Sequence, residues 1–408
     1  MNIGILAYNA ACNFGANLQL LSTVRYIMNN GHQPFVINWV PLSLENHYKN
    51  KISSTQYAVH LSFRKKFYNE TSICRTAKDV ADVISKYNIN GVIIGSDAIA
   101  QHHPFLSRIV FPSRRIISFP SYSEDRMFPN VFWGLFNDFL KKPVPIAILS
   151  ASSQNSNYRL FSSAVNKKMR EYVMKYCYIS VRDSWTQKMY NHITHGEITP
   201  TITPDPVFAF NHNVSNLPTK QDILSQFDLK DKYIILSFFN NNKVSISWLD
   251  EFQKKANREG YQCVAMAFPE GVRFKHNIEK EISIPLSPID WYSLIKYASG
   301  YVGHNMHPIV VSLHNATPFF SFDNYGISKF RFFVNEKSSK IYDLLAIAGF
   351  LNNRTCDESL FNRCPSVDEV LSTLFEFDSV HCKKFADEYY RKYLLMMDDI
   401  MNKLTAIG

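Results

Sequence analysis

The fold is decided by the stretch IGILAYNAACNFGANLQLLSTVRYIMNNGHQPFVINWV, residues 3–40. It begins with a short apolar run at 3–8 and continues through a polar break that contains Gly15. Apolar residues then recur at helical spacing over 16–28, and a second β-rich run follows at 34–40. The order strand, glycine loop, helix and strand predicts the opening of a parallel α/β domain.

The same alternation continues along the chain and restarts after a segment rich in Pro, Asn and Ser at 205–222, which we interpret as an interdomain linker. The pattern predicts two doubly wound domains that face each other across a cleft. Their predicted limits are 1–210 for the first domain and 223–375 for the second. The remaining residues, 376–408, are predicted to form a helical tail that packs back on the first domain.

Composition narrows the class of partner. The chain has 408 residues, 46% of them hydrophobic, and a formal charge of +9. This charge favours an anionic partner, but the basic residues are scattered and form no nucleic-acid module. No run approaches the roughly 18–20 apolar residues that span a bilayer. We expect a cytoplasmic protein, and peripheral attachment at the inner face of the membrane stays open.

Seven motifs follow one another in an order that resembles the polysaccharide pyruvyl transferases. They are NFGANLQLLSTVRYIMNNGHQPFVINW, VIIGSDAIAQ, VFWGLF with PVPIAILSASSQ, ISVRDSWTQKM, PDPVFAF, SPIDWYSLIKYASGYVGHNMHPIVVSLHNATPF and SSKIYDLLAIAGFLNNR. The resemblance implies a GT-B-like fold of two Rossmann-like domains. It also implies transfer of a pyruvyl group from phosphoenolpyruvate (PEP) to sugar hydroxyls as a ketal. PEP is then a donor substrate, and no cofactor is expected.

Two residues are the predicted catalytic groups. His307 matches a histidine that the resemblance places at the donor, and an imidazole suits either acid–base chemistry or phosphate binding. Asp97 follows an apolar run in GSD and is the predicted base for the sugar hydroxyl. A carboxylate at the end of a strand also caps helices, so a capping role for Asp97 stays open.

Five residues are predicted to bind PEP. Arg182 in ISVRD matches the arginine of a family motif and is expected to clamp the phosphate; a surface ion pair with Asp183 is the alternative. Lys329 and Arg331 would add positive charge at the same edge. The other two of the five, His304 and Asn305, belong to the motif at 303–308.

The sequence GHNMHP at 303–308 supplies His304 and Asn305 as the remaining donor ligands. Asn305 stands where the resemblance expects arginine, and an amide cannot form a charged fork to phosphate, so His304 is expected to compensate in part. His304 and His307 have no third ligand at a recognised spacing, which argues against a metal site. Lys340 is expected to have a structural role.

The acceptor is expected to contact the first loop and the start of the first helix, through Asn13, Gly15, Asn17 and Gln19. Amide side chains suit sugar hydroxyls, and glycine allows close approach of the backbone. The partner would be a lipid-linked or nucleotide-linked glycan precursor. GxGxxG is absent, which argues against NAD. Two alternatives stay open: a glycosyltransferase that uses a nucleotide sugar, and a degenerate paralogue that binds glycan without catalysis.

Overall fold

A computed structural model describes residues 1–105, 110–113, 116–118, 123–154, 156–242, 244–323, 327–329, 333–335, 338–356 and 364–407. The strands are β1 (Asn2–Leu6), β2 (Gln33–Val36), β3 (Gly91–Asp97), β4 (Val110–Ser113), β5 (Ile116–Ser118), β6 (Ile146–Ala151), β7 (Tyr178–Val181), β8 (Thr201–Ile202), β9 (Tyr233–Ser237), β10 (Gln262–Met266), β11 (Lys280–Ile282), β12 (Gly300–Gly303), β13 (Phe319–Asp323), β14 (Ile327–Lys329), β15 (Phe333–Asn335) and β16 (Arg354–Cys356). The helices are α1 (Phe14–Asn29), α2 (Leu42–Lys51), α3 (Ser54–Phe67), α4 (Ala77–Lys86), α5 (Ser163–Val173), α6 (Ser184–Ile193), α7 (Phe210–Asn213), α8 (Lys220–Phe227), α9 (Ile246–Arg258), α10 (Pro288–Tyr297), α11 (Met306–Asn315), α12 (Lys340–Ala348), α13 (Val367–Phe375) and α14 (Ser379–Ile407).

Two parallel sheets of six strands form the two domains. The first has the order β2-β1-β3-β6-β7-β8, and the second has the order β11-β10-β9-β12-β13-β16. All neighbouring strands in these sheets are parallel. The direction in which successive strands are added to the sheet reverses between β1 and β3 in the first domain, and between β9 and β12 in the second. Ligands of such sheets bind at the carboxyl ends of the strands beside this reversal. The predicted pair of facing α/β domains is confirmed.

Helix α1 is buried on most of its surface because both domains pack on it. It begins where the side chain of Asn13 accepts a hydrogen bond from the backbone N–H of Ala16 at 3.1 Å. Besides the sheet of its own domain it contacts α7 and α10. Polar side chains in its interior are therefore buried as well, and Ser22 hydrogen-bonds the carbonyl of Pro206 at 2.7 Å.

The segment 205–222, which its composition predicted to be an interdomain linker, is folded over much of its length. Residues Pro206–Ala209 form a 3₁₀ turn that leads into α7, and Phe208 and Phe210 are fully buried. Phe208 packs on Tyr389 of α14, with ring centroids 5.0 Å apart, and Phe210 packs on Tyr292 of α10 at 4.5 Å. The two phenylalanines of DPVFAF thus fill the space between the domains, which the count of Pro and Asn did not reveal.

Helix α14 crosses from the second domain to the first. The thiol of Cys382 donates to the carbonyl of Leu313 in α11, and Asp398 accepts a hydrogen bond from Tyr26 of α1 at 2.5 Å. Near its end, Leu404 lies against Gly91 of β3. Although α14 has 29 residues, none of the helices in the described ranges is both long and apolar enough to cross a membrane.

Helices α2 and α3 are not evident from the sequence, because their residues are mostly polar. Helix α3 contacts the second domain. The buried side-chain amide of Gln56 in α3 donates to the carbonyl of Leu286 at 2.8 Å and accepts from its N–H at 2.7 Å. The amide thus pairs with the backbone of the other domain as a neighbouring strand would.

We expect Gln56→Ala to lower the free energy of unfolding by about 1–3 kcal/mol, because it leaves a buried N–H and C=O without partners. Urea denaturation measures the change. Gln221→Ala is the matched control, since Gln221 is an exposed glutamine on α8, and it should change stability little. An equal effect of both variants would contradict a role for Gln56 in joining the domains.

Candidate active site at the interdomain cleft

A cleft of about 860 Å³ lies between the domains, at the carboxyl ends of both sheets. Asp97, which ends β3, and Asn305, which follows β12, face it from the two points where the strand order reverses. Its polar and aromatic lining residues are Tyr8, Asn13, Phe14, Ser43, Tyr48, Asp97, Gln101, Ser123, Asp125, Arg126, Gln154, Phe268, Trp291, Asn305, His307 and Lys340. The position is the one at which this architecture binds ligands.

Helices α1, α11 and α12 begin at this cleft. Gly15, His307 and Lys340 belong to their first turns and line it. The N-terminal end of a helix carries a partial positive charge and free N–H groups, so all three favour a bound anion. Helix α1 is capped by Asn13, whereas the Asn305 side chain makes no capping hydrogen bond to α11.

His307 is in van der Waals contact with the backbone of α1. A Cβ atom built on Gly15 would lie 2.0 Å from His307 Cγ and 2.2 Å from its Nδ1. Glycine is therefore required at position 15 for the imidazole to reach its place. The sequence predicted close approach at Gly15 to a sugar; the partner in the structure is His307.

The imidazole of His307 is poised to meet a ligand. Its Nε2 is buried and has no hydrogen-bond partner among the described residues. Burial lowers the pKa of His307, although Asp97 and Asp205 act in the opposite direction. The ring is accordingly neutral at pH 7, and a bound anion beside it would raise its pKa and bring a proton.

Arg182 lies beneath the cleft and holds two carboxylates. Its guanidinium bonds Asp97 at 2.7 Å and Asp205 at 3.2 Å, and its side chain is 2% exposed. Burial alone would raise the pKa of Asp97, but the charges of Arg182 and Lys340, the field of His307 and the hydrogen bond from Arg182 together outweigh it and hold that pKa well below the ordinary value. Asp97 is thus a fixed carboxylate whose position depends on Arg182.

Arg182 is not among the residues that line the cleft, which therefore shows no phosphate clamp formed by this arginine. The alternative pair with Asp183 is also not formed. Asp183 instead caps α6 by accepting from the N–H of Thr186 at 2.7 Å, and it accepts from the hydroxyl of Ser152 at 2.7 Å. We interpret Arg182 as the residue that orients Asp97.

His304 is 1% exposed and does not line the cleft. Its Nδ1 accepts from the N–H of Phe239 at 3.1 Å, and its ring packs on Phe238 with centroids 5.2 Å apart. Asn305 does line the cleft, and compensation for its amide by His304 stays a prediction. Arg331 lies outside the described residues, as does the side chain of Lys329.

Of the residues predicted to bind the acceptor, Asn13 and Gly15 line the cleft, and Asn17 and Gln19 do not. Asn17 hydrogen-bonds His60 at 2.8 Å, and Gln19 donates to Asp205 at 2.5 Å. Both side chains are buried, so their placement favours support of α1 and of the Arg182 cluster. A sugar contact for them stays a prediction.

The sequence did not point to Lys340, Tyr48 or Trp291 as cleft residues. For Lys340 a local signal exists, because Ser339 before an apolar helical pattern marks a helix start and places Lys340 in the first turn. Tyr48 lies on α2, which the sequence pattern does not reveal, and Trp291 lies on α10. Within the described ranges, no group of three His, Cys, Asp or Glu side chains is arranged to bind a metal ion.

A comparison of the sequence with protein families finds that the model of the polysaccharide pyruvyl transferases matches residues 13–325. The chain belongs to the polysaccharide pyruvyl transferase family. The match includes Gly15, Asp97, Arg182 and His307 and ends before Lys340. No curated protein sequence matches the chain.

Solved structures share the fold of this family member at low sequence identity. The UDP-GlcNAc 2-epimerase of Neisseria meningitidis, bound to UDP-GlcNAc, has a TM-score of 0.52 at 9% identity, and the alignment covers 98% of this chain and 100% of that one. LpCGTa in complex with UDP has a TM-score of 0.51 at 10% identity, with 99% of each chain covered. These likenesses show the GT-B-like fold that the sequence predicted.

Proposed function

We propose that this chain transfers the pyruvyl group of PEP to two hydroxyls of a sugar acceptor, in the biosynthesis of a surface polysaccharide or glycoconjugate. One observation carries the proposal. His307 lines an interdomain cleft and has a buried Nε2 without a hydrogen-bond partner among the described residues, in the first turn of a helix that Asn305 leaves uncapped. An anionic donor would supply both missing partners, and membership of the pyruvyl transferase family supports PEP as that donor.

The reaction must move three protons in balance. Protonation of the vinyl carbon of PEP by the imidazolium of His307 gives an oxocarbenium-like centre at the carbon that carries the phosphate. The first sugar hydroxyl attacks this centre and returns a proton to Nε2. The second hydroxyl then displaces inorganic phosphate, which takes the second hydroxyl proton, and the product is a cyclic ketal. An acid or base in this role contributes about 10²–10⁴ in rate.

In this scheme Asp97 stabilises charge rather than removing a proton. Its depressed pKa makes it a weak base, whereas a permanent carboxylate beside the oxocarbenium-like centre lowers the barrier electrostatically. A role for Asp97 as the base of the sugar hydroxyl is the alternative that the sequence suggested.

The acceptor would contact the side chains of the cleft that suit a sugar. Tyr48 and Trp291 supply aromatic rings to its lining, and Asn13 and Gln154 supply amides that can bond sugar hydroxyls. These groups suit a glycan precursor whose lipid or nucleotide carrier extends beyond the cleft. No described feature selects between the two carriers.

We expect His307→Gln to lower PEP-dependent phosphate release by about 10²–10⁴, since glutamine retains hydrogen bonding but carries no proton for the vinyl carbon. The assay combines purified protein, PEP and a panel of sugar acceptors. His192→Gln, at an exposed histidine on α6, is the control and should keep the wild-type rate. An undiminished rate in His307→Gln would contradict the proposed chemistry, and turnover of UDP-sugars without PEP would replace the proposed donor.

A further inference from the structure

The start of α12 is held rigidly at the cleft. Ser339 caps it by accepting from the N–H groups of Ile341 and Tyr342, and its hydroxyl donates to Asp323 at 2.6 Å. Asp323 in turn accepts from Arg354 at 2.6 Å. Lys340 follows the cap. Its side chain therefore extends from a backbone position that these contacts hold in place.

A second contact ties α12 to the opposite domain. The carboxylate of Asp343 accepts a hydrogen bond from the N–H of Ser184, the first residue of α6, at 2.6 Å. The neighbouring residue Asp183 belongs to the same cluster of charges as Arg182. Helix α12 thus presents Lys340 to the first domain at a fixed distance, beside Asp97 and His307.

Lys340 is 8% exposed and lines the cleft. Arg182 lies below the cleft with its terminal nitrogens held by carboxylates, Asn305 is uncharged, and Arg126 is exposed to solvent. Among the described lining residues Lys340 is therefore the buried cation. A charge in such a position interacts more strongly with a ligand than one that water screens.

The surroundings of Lys340 set its charge. Burial lowers its pKa to about 8, and Arg182 adds to this effect, while the carboxylates of Asp97, Asp183 and Asp205 oppose it. The charge of Lys340 also lowers the pKa of His307. The ammonium is therefore present at neutral pH and is lost a little above it.

We propose that Lys340 is a ligand of the anionic donor: its ammonium bonds a phosphate or carboxylate oxygen of the molecule that His307 protonates. This assignment rests on the proposed function and adds the residue that supplies the positive charge. Because the bound anion stabilises the charged amine, donor affinity should be highest below the pKa that Lys340 has before the donor binds. It should fall as the pH rises through that value.

The test compares Lys340→Met and Lys340→Arg with the wild type, using PEP and inorganic phosphate as separate probes in calorimetry, and KM and kcat in the turnover assay. We expect Lys340→Met to weaken binding of both probes by about ten- to hundredfold and to raise KM for PEP. Lys340→Arg should restore binding and remove the loss of affinity above about pH 8, since arginine stays charged. Lys167→Met, at an exposed lysine of α5, is the control.

The outcomes separate this assignment from the proposed function. If phosphate binding depends on Lys340 but no acceptor is pyruvylated, the assignment stands as an anion site and the PEP reaction fails. If PEP is turned over and both variants keep the wild-type KM and pH profile, the assignment fails and the function stands. Should Lys340→Met not fold, the pH profile of Lys340→Arg decides. Absence of binding of both probes to the wild type overturns both.

Discussion

Arg182→Met is expected to lower the free energy of unfolding by about 3–5 kcal/mol, because it leaves Asp97 and Asp205 as uncompensated buried charges. Arg182 bonds both carboxylates, at 2.7 and 3.2 Å. Denaturation by urea at neutral pH measures the loss. Activity should fall as well, since Asp97 would no longer be held in place.

The pH dependence of this loss has a definite sign. Burial acts to raise the pKa of Asp97, but Arg182, together with Lys340 and His307, overcomes this and depresses that pKa in the folded wild type. The stability it contributes is therefore present above the ordinary carboxyl pKa of about 4 and is lost as the pH falls below it. The difference between wild type and Arg182→Met should shrink at acid pH.

Arg170→Met is the matched control for Arg182→Met. Arg170 pairs with Glu197 at the surface, where the two side chains are 37% and 48% exposed. Water screens such a pair, so its loss should cost less than about 1 kcal/mol. Equal losses in the two variants would mean that the buried cluster around Arg182 does not hold the carboxylates as described.

Gly15→Ala is expected to abolish most of the transferase activity while the fold persists. The new methyl group would lie 2.0 Å from His307 Cγ, so the imidazole must move away from the cleft. Overpacking of this kind costs about 1–3 kcal/mol, and loss of a positioned acid–base group costs about 10²–10⁴ in rate. Turnover of PEP and thermal unfolding measure the two effects.

A double-mutant cycle isolates the contact between these two residues. His307→Gly removes the three atoms nearest to the methyl group that Gly15→Ala introduces, which are Cγ, Nδ1 and Cβ, so Gly15→Ala should cost less stability in that background. The coupling is expected to approach the whole penalty seen with His307 present. A penalty that is unchanged in the His307→Gly background would place the strain elsewhere in α1.

The alternation of apolar runs with segments of helical spacing was sufficient to predict both domains. Each buried strand and each helix has a pattern of apolar residues within its own segment of the sequence. The contacts between distant segments left no such pattern. Asp97 ends β3, and Arg182 directly follows β7. The sequence around either residue does not show that the guanidinium lies beneath the cleft rather than in it. Tertiary pairing places Arg182 between two carboxylates that are distant in the sequence.

His304 and His307 show the same limit over three residues. His304 follows β12 directly and turns back toward Phe238 and Phe239, whereas His307 is in the first turn of α11 and faces Gly15. The sequence places both at a junction of strand and helix but does not give their directions. The segment 205–222 resembles a linker for a similar reason, because its aromatic residues are buried only where α10 and α14 cover them.

The structure of the protein in crystals grown with PEP tests the central claim most directly. Electron density for PEP should appear between the first turns of α1, α11 and α12, with an anionic group beside Lys340 and the vinyl carbon within reach of His307 Nε2. PEP bound outside the cleft, or a cleft that stays empty at saturating PEP, would contradict the claim.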